Sequence, residues 1–597
     1  MRRTLVFAAV AGILTAPALA RNPNVAPDAP LSGMVAVRLA DPSAAGVQAT
    51  TLSEYVKALV AIIAVGGTLP QGVEFPLANT SDDTGKPLPS GVAVGIIGDC
   101  SGGQSPWGTI FTAEENVQDF YGDLEATWTP NNKFLTGKGF DPGANIDPDV
   151  TPSAAGKYGR ISDPRQRHNR DLYGFPVEMD PGQDSGLYYR SAAGNKGNGR
   201  GHRKHGSMGR ARWENVTFAT GDDFYLVSGK PIVMYGGNDR RSGRIYKWVS
   251  KGDFEYGMTR AETRALLDDG DLYVAHFKGL DNRIGFSRYD PNDTDCDPTS
   301  SEAEIFASCR IATEDDPAQG RWIRLSVHNR EQEAPNAQAL GKPGTKVGDA
   351  LKDVNWNGIG GFPTDNHVKS ALFTAAMKVG VMELNRPEDV EWNPRYPGGP
   401  VIHVAFTKGG RRTGLNQGTQ RQERSTRRTF TKSRYQTGMN QDGVLYDPAV
   451  HGDEAPKRID NVGSIFSLRE ADPTNPGSSR SFSYWLTWLG IKGTGPHDAA
   501  NPDNLLIDAD GGLWFGTDTN YKLNGTADAV YYLDLDVRHK TSPVPTYGRP
   551  FRVAAGPSDA EATGPALNTT RTTLFFNVQH PGEKLDDKAP GSTWPRD

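Results

Sequence analysis

The residues best placed to do chemistry are acids set in turn-like contexts. Glu114 and Glu115 are followed by Asn116 and close an apolar run that begins shortly after Cys100. Adjacent side chains on a strand face opposite ways, so only one of the two glutamates is expected at a common site. Glu214 follows Trp213 and Asp239 closes Tyr235-Gly-Gly-Asn. Arg386 and Glu388 stand two apart, the spacing that puts two side chains on one face of an extended strand. There an arginine can fork onto a phosphate while its neighbouring carboxylate holds a cation. Asp503, Asp518 and Glu561 complete the set. Each fragment alone is also compatible with loop chemistry. Asp508-Ala-Asp-Gly-Gly-Leu-Trp514 reads as a hairpin turn, and it does not satisfy the EF-hand pattern.

Common hydrolase signatures are missing: no HExxH, no GxSxG and no phosphate-cradling GxxxxGK[ST] occurs. His202 and His205 sit in a basic, Gly-rich stretch and read as surface residues. Of three cysteines, Cys296 and Cys309 lie in one polar insertion and form the natural disulfide pair, leaving Cys100 as the odd thiol. Cys100 has two readings, a buried inert thiol or a thiolate metal ligand.

The elements that must position these residues are short. Gly (69) and Pro (42) are abundant among 597 residues, which disfavours long helices. Strand-like runs recur between Gly, Pro, Asn and Asp turns, at Tyr173 to Met179, Ile232 to Tyr235, Arg244 to Val249, Leu272 to Phe277, Val401 to Thr407, Ser464 to Leu468, Leu513 to Thr517, Ala529 to Leu533 and Thr573 to Val578. Helices are expected only at Leu52 to Val65, within Thr259 to Asp268, and at Val368 to Lys378. Strands without alternating helices predict an all-β fold, a β-propeller with long inter-strand insertions.

Residues 1–20 have the form of a secretory signal: Arg2 and Arg3, a short apolar run from Leu5 to Ala16, and the cleavage-like Ala18-Leu19-Ala20. Arg2-Arg3 leaves the Sec and twin-arginine routes open. The expected division is a signal at 1–20, an extension with one helix at 21–90, and a catalytic propeller at 91–590 with insertions near 189–212, 289–311 and 408–434. The reading is of a periplasmic or secreted monomer without membrane attachment. A net charge of −6 gives no case for a nucleic-acid partner. The two basic insertions, 189–212 and 408–434, read as solvated loops or as a local positive field that draws an anion to a cleft.

Taken in order, the fragments resemble the PhoX-type secreted alkaline phosphatases. The likeness rests on Pro106-Trp-Gly-Thr109 with Glu114-Glu115-Asn116, Tyr173-Gly174 with Glu178-Met-Asp-Pro181, and Met208-Gly-Arg210 with Glu214. It continues through Tyr246-Lys247, Arg386-Pro-Glu388-Asp389, Pro502-Asp503-Asn504-Leu505, Leu513-Trp514 with Thr517-Asp518, and Asn577-Val-Gln-His-Pro-Gly582. The resemblance implies a six-bladed propeller with an Fe3+ pair and Ca2+ at its axis and an oxygen bridging metals. Carried over, it makes Cys100 an iron thiolate and Glu115, Glu214, Glu388, Asp503 and Glu561 metal carboxylates, the last two on the calcium side. Asn116 and Arg386 would hold the phosphate of a monoester, hydrolysed to alcohol and inorganic phosphate. The chain departs from the family pattern at Asn238, where Asp is usual, and at Trp213, where His is usual. Two other readings stay open: a non-catalytic propeller binding a polyanion or other ligand, and a calcium-dependent, lactonase-like hydrolase.

Overall fold

Antiparallel pairing organises every sheet of the computed structural model. The structure describes residues 73–76, 92–94, 96, 98–116, 173–180, 190–191, 202–239, 241–277, 312–382, 384–407, 444, 462–491, 493–518, 527–557, 560–568 and 572–579. The signal, the helix expected at Leu52 to Val65, Cys296, Cys309 and the insertions 289–311 and 408–434 lie outside them.

The largest sheet has nine strands. It runs from Thr217–Phe218 through Lys230–Gly237, Ile245–Phe254, Gly270–Phe277 and Ala318–Arg324. Ala318–Arg324 then pairs with Ser481–Leu489, and the sheet returns through Ser464–Glu470 and Val401–Phe406 to Pro387–Asn393. Its two edges meet through side chains. The Asn215 carboxamide bonds both the N–H and the C=O of Val390, each at 3.0 Å, as a neighbouring strand's backbone would. The Thr217 hydroxyl accepts from Trp392 N at 3.2 Å and donates to Glu391 at 3.0 Å. Two polar side chains thus close a nearly complete barrel and cover edges that would otherwise stay open.

Strand alternation sorts the core. Ile232 and Met234 face one apolar cluster with Trp248, Val274 and Ile323, and the same cluster takes in Leu351, Leu372 and Ala376 from the short helices. Val233 and Tyr235 face the other, with Tyr273, Trp322, Val404, Phe466 and Tyr484. A period of two along each strand is what delivers neighbouring residues to opposite cores.

Around the barrel stand a sheet built from Asp99–Gln104, Ile110–Glu114, Pro176–Met179 and His202–Lys204, another from Pro502–Ile507 to Pro550–Ala555, and the pair Glu561–Leu567 with Leu574–Gln579. The all-β class and the scarcity of helix hold. Described sheets of three, two, nine, four, two and four strands do not separate into equal blades. Helix Arg260–Ala265 begins where expected, with a Thr259–Glu262 capping box. The helix expected at Val368 to Lys378 is broken at Ala371 into Asp365–Ser370 and Leu372–Lys378. The turn at Asp508 is a hairpin turn: its carboxylate accepts from Asp510 N, Gly512 N and Trp514 Nε1, so it is engaged in holding its own loop.

Candidate metal centre

Strand ends from several sheets bring the acids together. Cys100 lies within Asp99–Gln104, while Glu115 and Asn116 follow Ile110–Glu114 and are tied by their N–H groups to Gly98 O at 3.0 and 2.9 Å. Glu214 is held on both sides, its N–H donating to Gly237 O at 3.1 Å and its C=O accepting from Ser101 N at 3.0 Å. Glu388 and Asp503 are near the starts of Pro387–Asn393 and Pro502–Ile507, and Glu561 opens Glu561–Leu567.

Two donor groups result. Cys100, Glu115 and Glu214 each offer an atom within 4.8 Å of the others, and so do Glu214, Glu388 and Asp503. Glu214 belongs to both. The Cys100 thiol donates to Glu214 Oε1 at 2.9 Å and is in no disulfide. The Asn116 amide donates to Glu115. Glu561 is close enough that its charge acts on both Cys100 and Asp503.

None of these carboxylates is more than 7% exposed. Burial pushes Glu115, Glu214, Glu388 and Asp503 well above the usual carboxylate range, and neighbouring acids add to it. Burial, followed by Glu214, likewise raises the Cys100 thiol. A buried set of like charges is stable only if it is protonated or neutralised by cations. Oxygen donors with one sulfur suit hard cations together with a metal that accepts thiolate. The donor set therefore fits metal ions.

Arg386 stands at the rim, with a side chain 23% exposed. Its Nε and Nη2 fork onto Asp239 at 2.9 and 2.8 Å, and Nη2 lies 2.8 Å from Glu388 Oε1. Burial opposes ionisation of Asp239, but Arg386 outweighs it and pulls the carboxyl below its usual range. Arg386 and Glu388 do not share one face of an extended strand as their spacing predicts. Arg386 has φ 47°, so it is a left-handed bend before the strand and not part of an extended run. Such a conformation in a bulky residue costs on the order of 1–3 kcal/mol, held by its surroundings.

Glu114 points away from this centre, accepting from Lys204 Nζ at 2.7 Å and from Gly174 N and Phe175 N. His205 is no surface residue: it is fully buried, 3.0 Å from Glu178, and burial pushes its pKa down to about 4. Nor is the end of the 189–212 insertion solvated, for Lys204 and Arg210 are buried and Arg212 acts on Glu115. Asp239 and Asp518 sit in motifs that by themselves assign them no role. Asp239 grips Arg386, and Asp518 acts on Arg386 and Asp503. An acid two residues after a Gly-Gly strand end is the available signal for the first.

This is an all-β protein whose strand ends converge on a buried, cation-demanding carboxylate centre. The family model described as "Alkaline phosphatase PhoX" matches residues 83–582, and the chain belongs to that family. It is thus a phosphatase. PhoX of Pseudomonas fluorescens, solved in complex with vanadate, a transition state analogue, is similar in fold at TM-score 0.53 and 20% identity, over 88% of this chain and 72% of that one. No individual curated protein matches the chain significantly. Members of the family are generally secreted or periplasmic. Among the described residues no helix is long and apolar enough to cross a membrane.

Proposed function

We propose that the centre holds an Fe3+ pair and Ca2+ and hydrolyses phosphate monoesters of small molecules to alcohol and inorganic phosphate. Cys100, Glu115 and Glu214 would hold iron, with Glu214 and Glu388 shared toward calcium and Asp503 and Glu561 on the calcium side. When bound, the ions supply Lewis acidity, neutralising the phosphate and lowering the pKa of the attacking water. The Arg386 guanidinium and the Asn116 amide bind the equatorial phosphoryl oxygens as charge builds on them. Asp239 keeps the guanidinium forked and so fixes its orientation at the site. Burial excludes bulk water, which strengthens these contacts. The protein acts as a periplasmic or secreted monomer.

The observation that carries the reading is Glu214, which shares donor distance both with Cys100 and Glu115 and with Glu388 and Asp503. The test is p-nitrophenyl phosphate hydrolysis beside elemental analysis of protein purified without chelator. Chelator-sensitive turnover with iron and calcium is expected. Calcium alone with lactone hydrolysis would replace the reading, and metal-free inert protein would remove it.

A further inference from the structure

We infer that Gly237 is a positioning residue for this centre: its missing Cβ sets where Glu388 stands relative to Glu214 and, with Asp239, aims Arg386. The inference rests on the phosphatase reading for its kinetic consequences, but not for its geometry.

Strand Lys230–Gly237 ends between two site-bearing segments. On one side Gly237 O accepts the N–H of Glu214 at 3.1 Å. On the other, a Cβ on Gly237 would lie 2.1 Å from Glu388 O and 2.7 Å from Pro387 O. Both obstacles are backbone, so no side chain can swing aside. Gly237 is not among the glycines with positive φ, so space and not conformation demands glycine there. Gly236 is pinned likewise, with a Cβ placed 2.7 Å from both Asn215 O and the Trp213 ring.

Two of the three carboxylates of the second donor group, Glu214 and Glu388, thus hang from backbones that both touch Gly237, one by a hydrogen bond and one by bare contact. The chain pressed against it is the one that bends at Arg386 and continues as Pro387–Asn393. Two residues past Gly237, Asp239 takes the fork of the same arginine. Residues 237–239 therefore hold both ends of Arg386-Pro-Glu388, the backbone by contact and the guanidinium by a bidentate pair. Making room for a methyl group moves the Glu388 carbonyl by about 1 Å, a misplacement that costs on the order of 100-fold in rate.

Gly237→Ala is the direct test, with Gly556→Ala as control, since a Cβ there meets only Asp528 O at 3.4 Å. Steady-state kinetics, inhibition by inorganic phosphate and hydrogen exchange of the peptide 384–393 are measured on the metal-loaded, full-length protein. Gly237→Ala should lower kcat/KM by about 100-fold, raise the phosphate inhibition constant by about 10-fold, and speed exchange in 384–393. The control should do none of these. Wild-type exchange or wild-type phosphate inhibition in Gly237→Ala overturns the inference. Should that variant fail to fold, Asp239→Asn, which keeps the shape, must still weaken phosphate inhibition with a larger effect on KM than on kcat. Unchanged inhibition there overturns it equally. A wild-type protein inert toward p-nitrophenyl phosphate removes the phosphatase reading instead, and the exchange measurement still decides the role of Gly237.

Discussion

Glu114 and Glu115 are neighbours in the chain and belong to two buried acidic regions of opposite character. Around Glu114 three acids have a cation at hand: Lys204 at 2.7 Å from Glu114, Arg264 at 3.0 Å from Glu178, and Arg260 at 2.8 Å from Asp180. Asp99, opposite Glu114, is the exception, and burial followed by the charge of Glu114 raises it. Burial works against ionisation of Glu178, but Arg264 and His205 outweigh it and hold it well below the usual range. Around Glu115 the acids face chiefly one another, and burial lifts them well above that range. Depth is the same in both regions; the supply of positive charge differs. The first region is a finished scaffold, and the second needs cations from solution to be complete.

The largest effect is expected from removing a counterion on the Glu114 side. Lys204→Met should cost about 3–5 kcal/mol of stability by leaving Glu114 buried without its cation. Urea unfolding measures it, and kcat per folded molecule should stay at wild type. On the other side the expectation reverses. Glu214→Gln should cut p-nitrophenyl phosphate turnover by at least about 100-fold, while the chelated protein melts no lower than wild type because a like charge has gone. A lower melt would make Glu214 structural.

Cys100→Ser should reduce turnover by about 10-fold and abolish any visible thiolate-to-iron absorption. Unchanged iron content and colour would take the sulfur out of the centre. A milder test titrates chelated protein. The Glu115 region, with pKa values raised above the ordinary 4.5, contributes stability below that value and loses it as pH rises through the raised pKa values. Glu178, with its pKa lowered, contributes above 4.5 and loses it as pH falls. Chelated protein should therefore be most stable in mild acid, and restoring metal should move the optimum upward. Smallest of all, breaking the pair expected between Cys296 and Cys309 should leave turnover nearly unchanged.

Much of the architecture was legible from alternation and turn residues. The strand read at Leu513 to Thr517 has those same bounds, and that at Ala529 to Leu533 likewise. Asp99–Gln104 is a strand that local pattern does not announce, since its Cys-Ser-Gly-Gly interior carries no apolar alternation. Of the site, motif order drew attention to the acids and to Cys100. Glu114 and Glu115 face different surroundings, as adjacent strand residues would, although Glu115 itself lies just past the strand end. The left-handed bend at Arg386 was not legible, because a residue before proline is ordinarily extended. The burial of His205 is not legible locally, because its neighbours in sequence are basic and Gly-rich, whereas its neighbours in space are Glu178 and the Phe111 ring, stacked at 5.4 Å.

By itself, the sequence determined the all-β class, the turns that space its strands, and which residue types were available for a cation site. These follow from local preferences, which act over a few residues. Only the tertiary structure decided which acids received a counterion and which were left to each other. It also decided that Asn215 and Thr217 close the barrel and that Gly237 admits the backbone of Glu388. Coulomb and desolvation energies depend on distances between groups more than a hundred residues apart, and no local pattern records those distances.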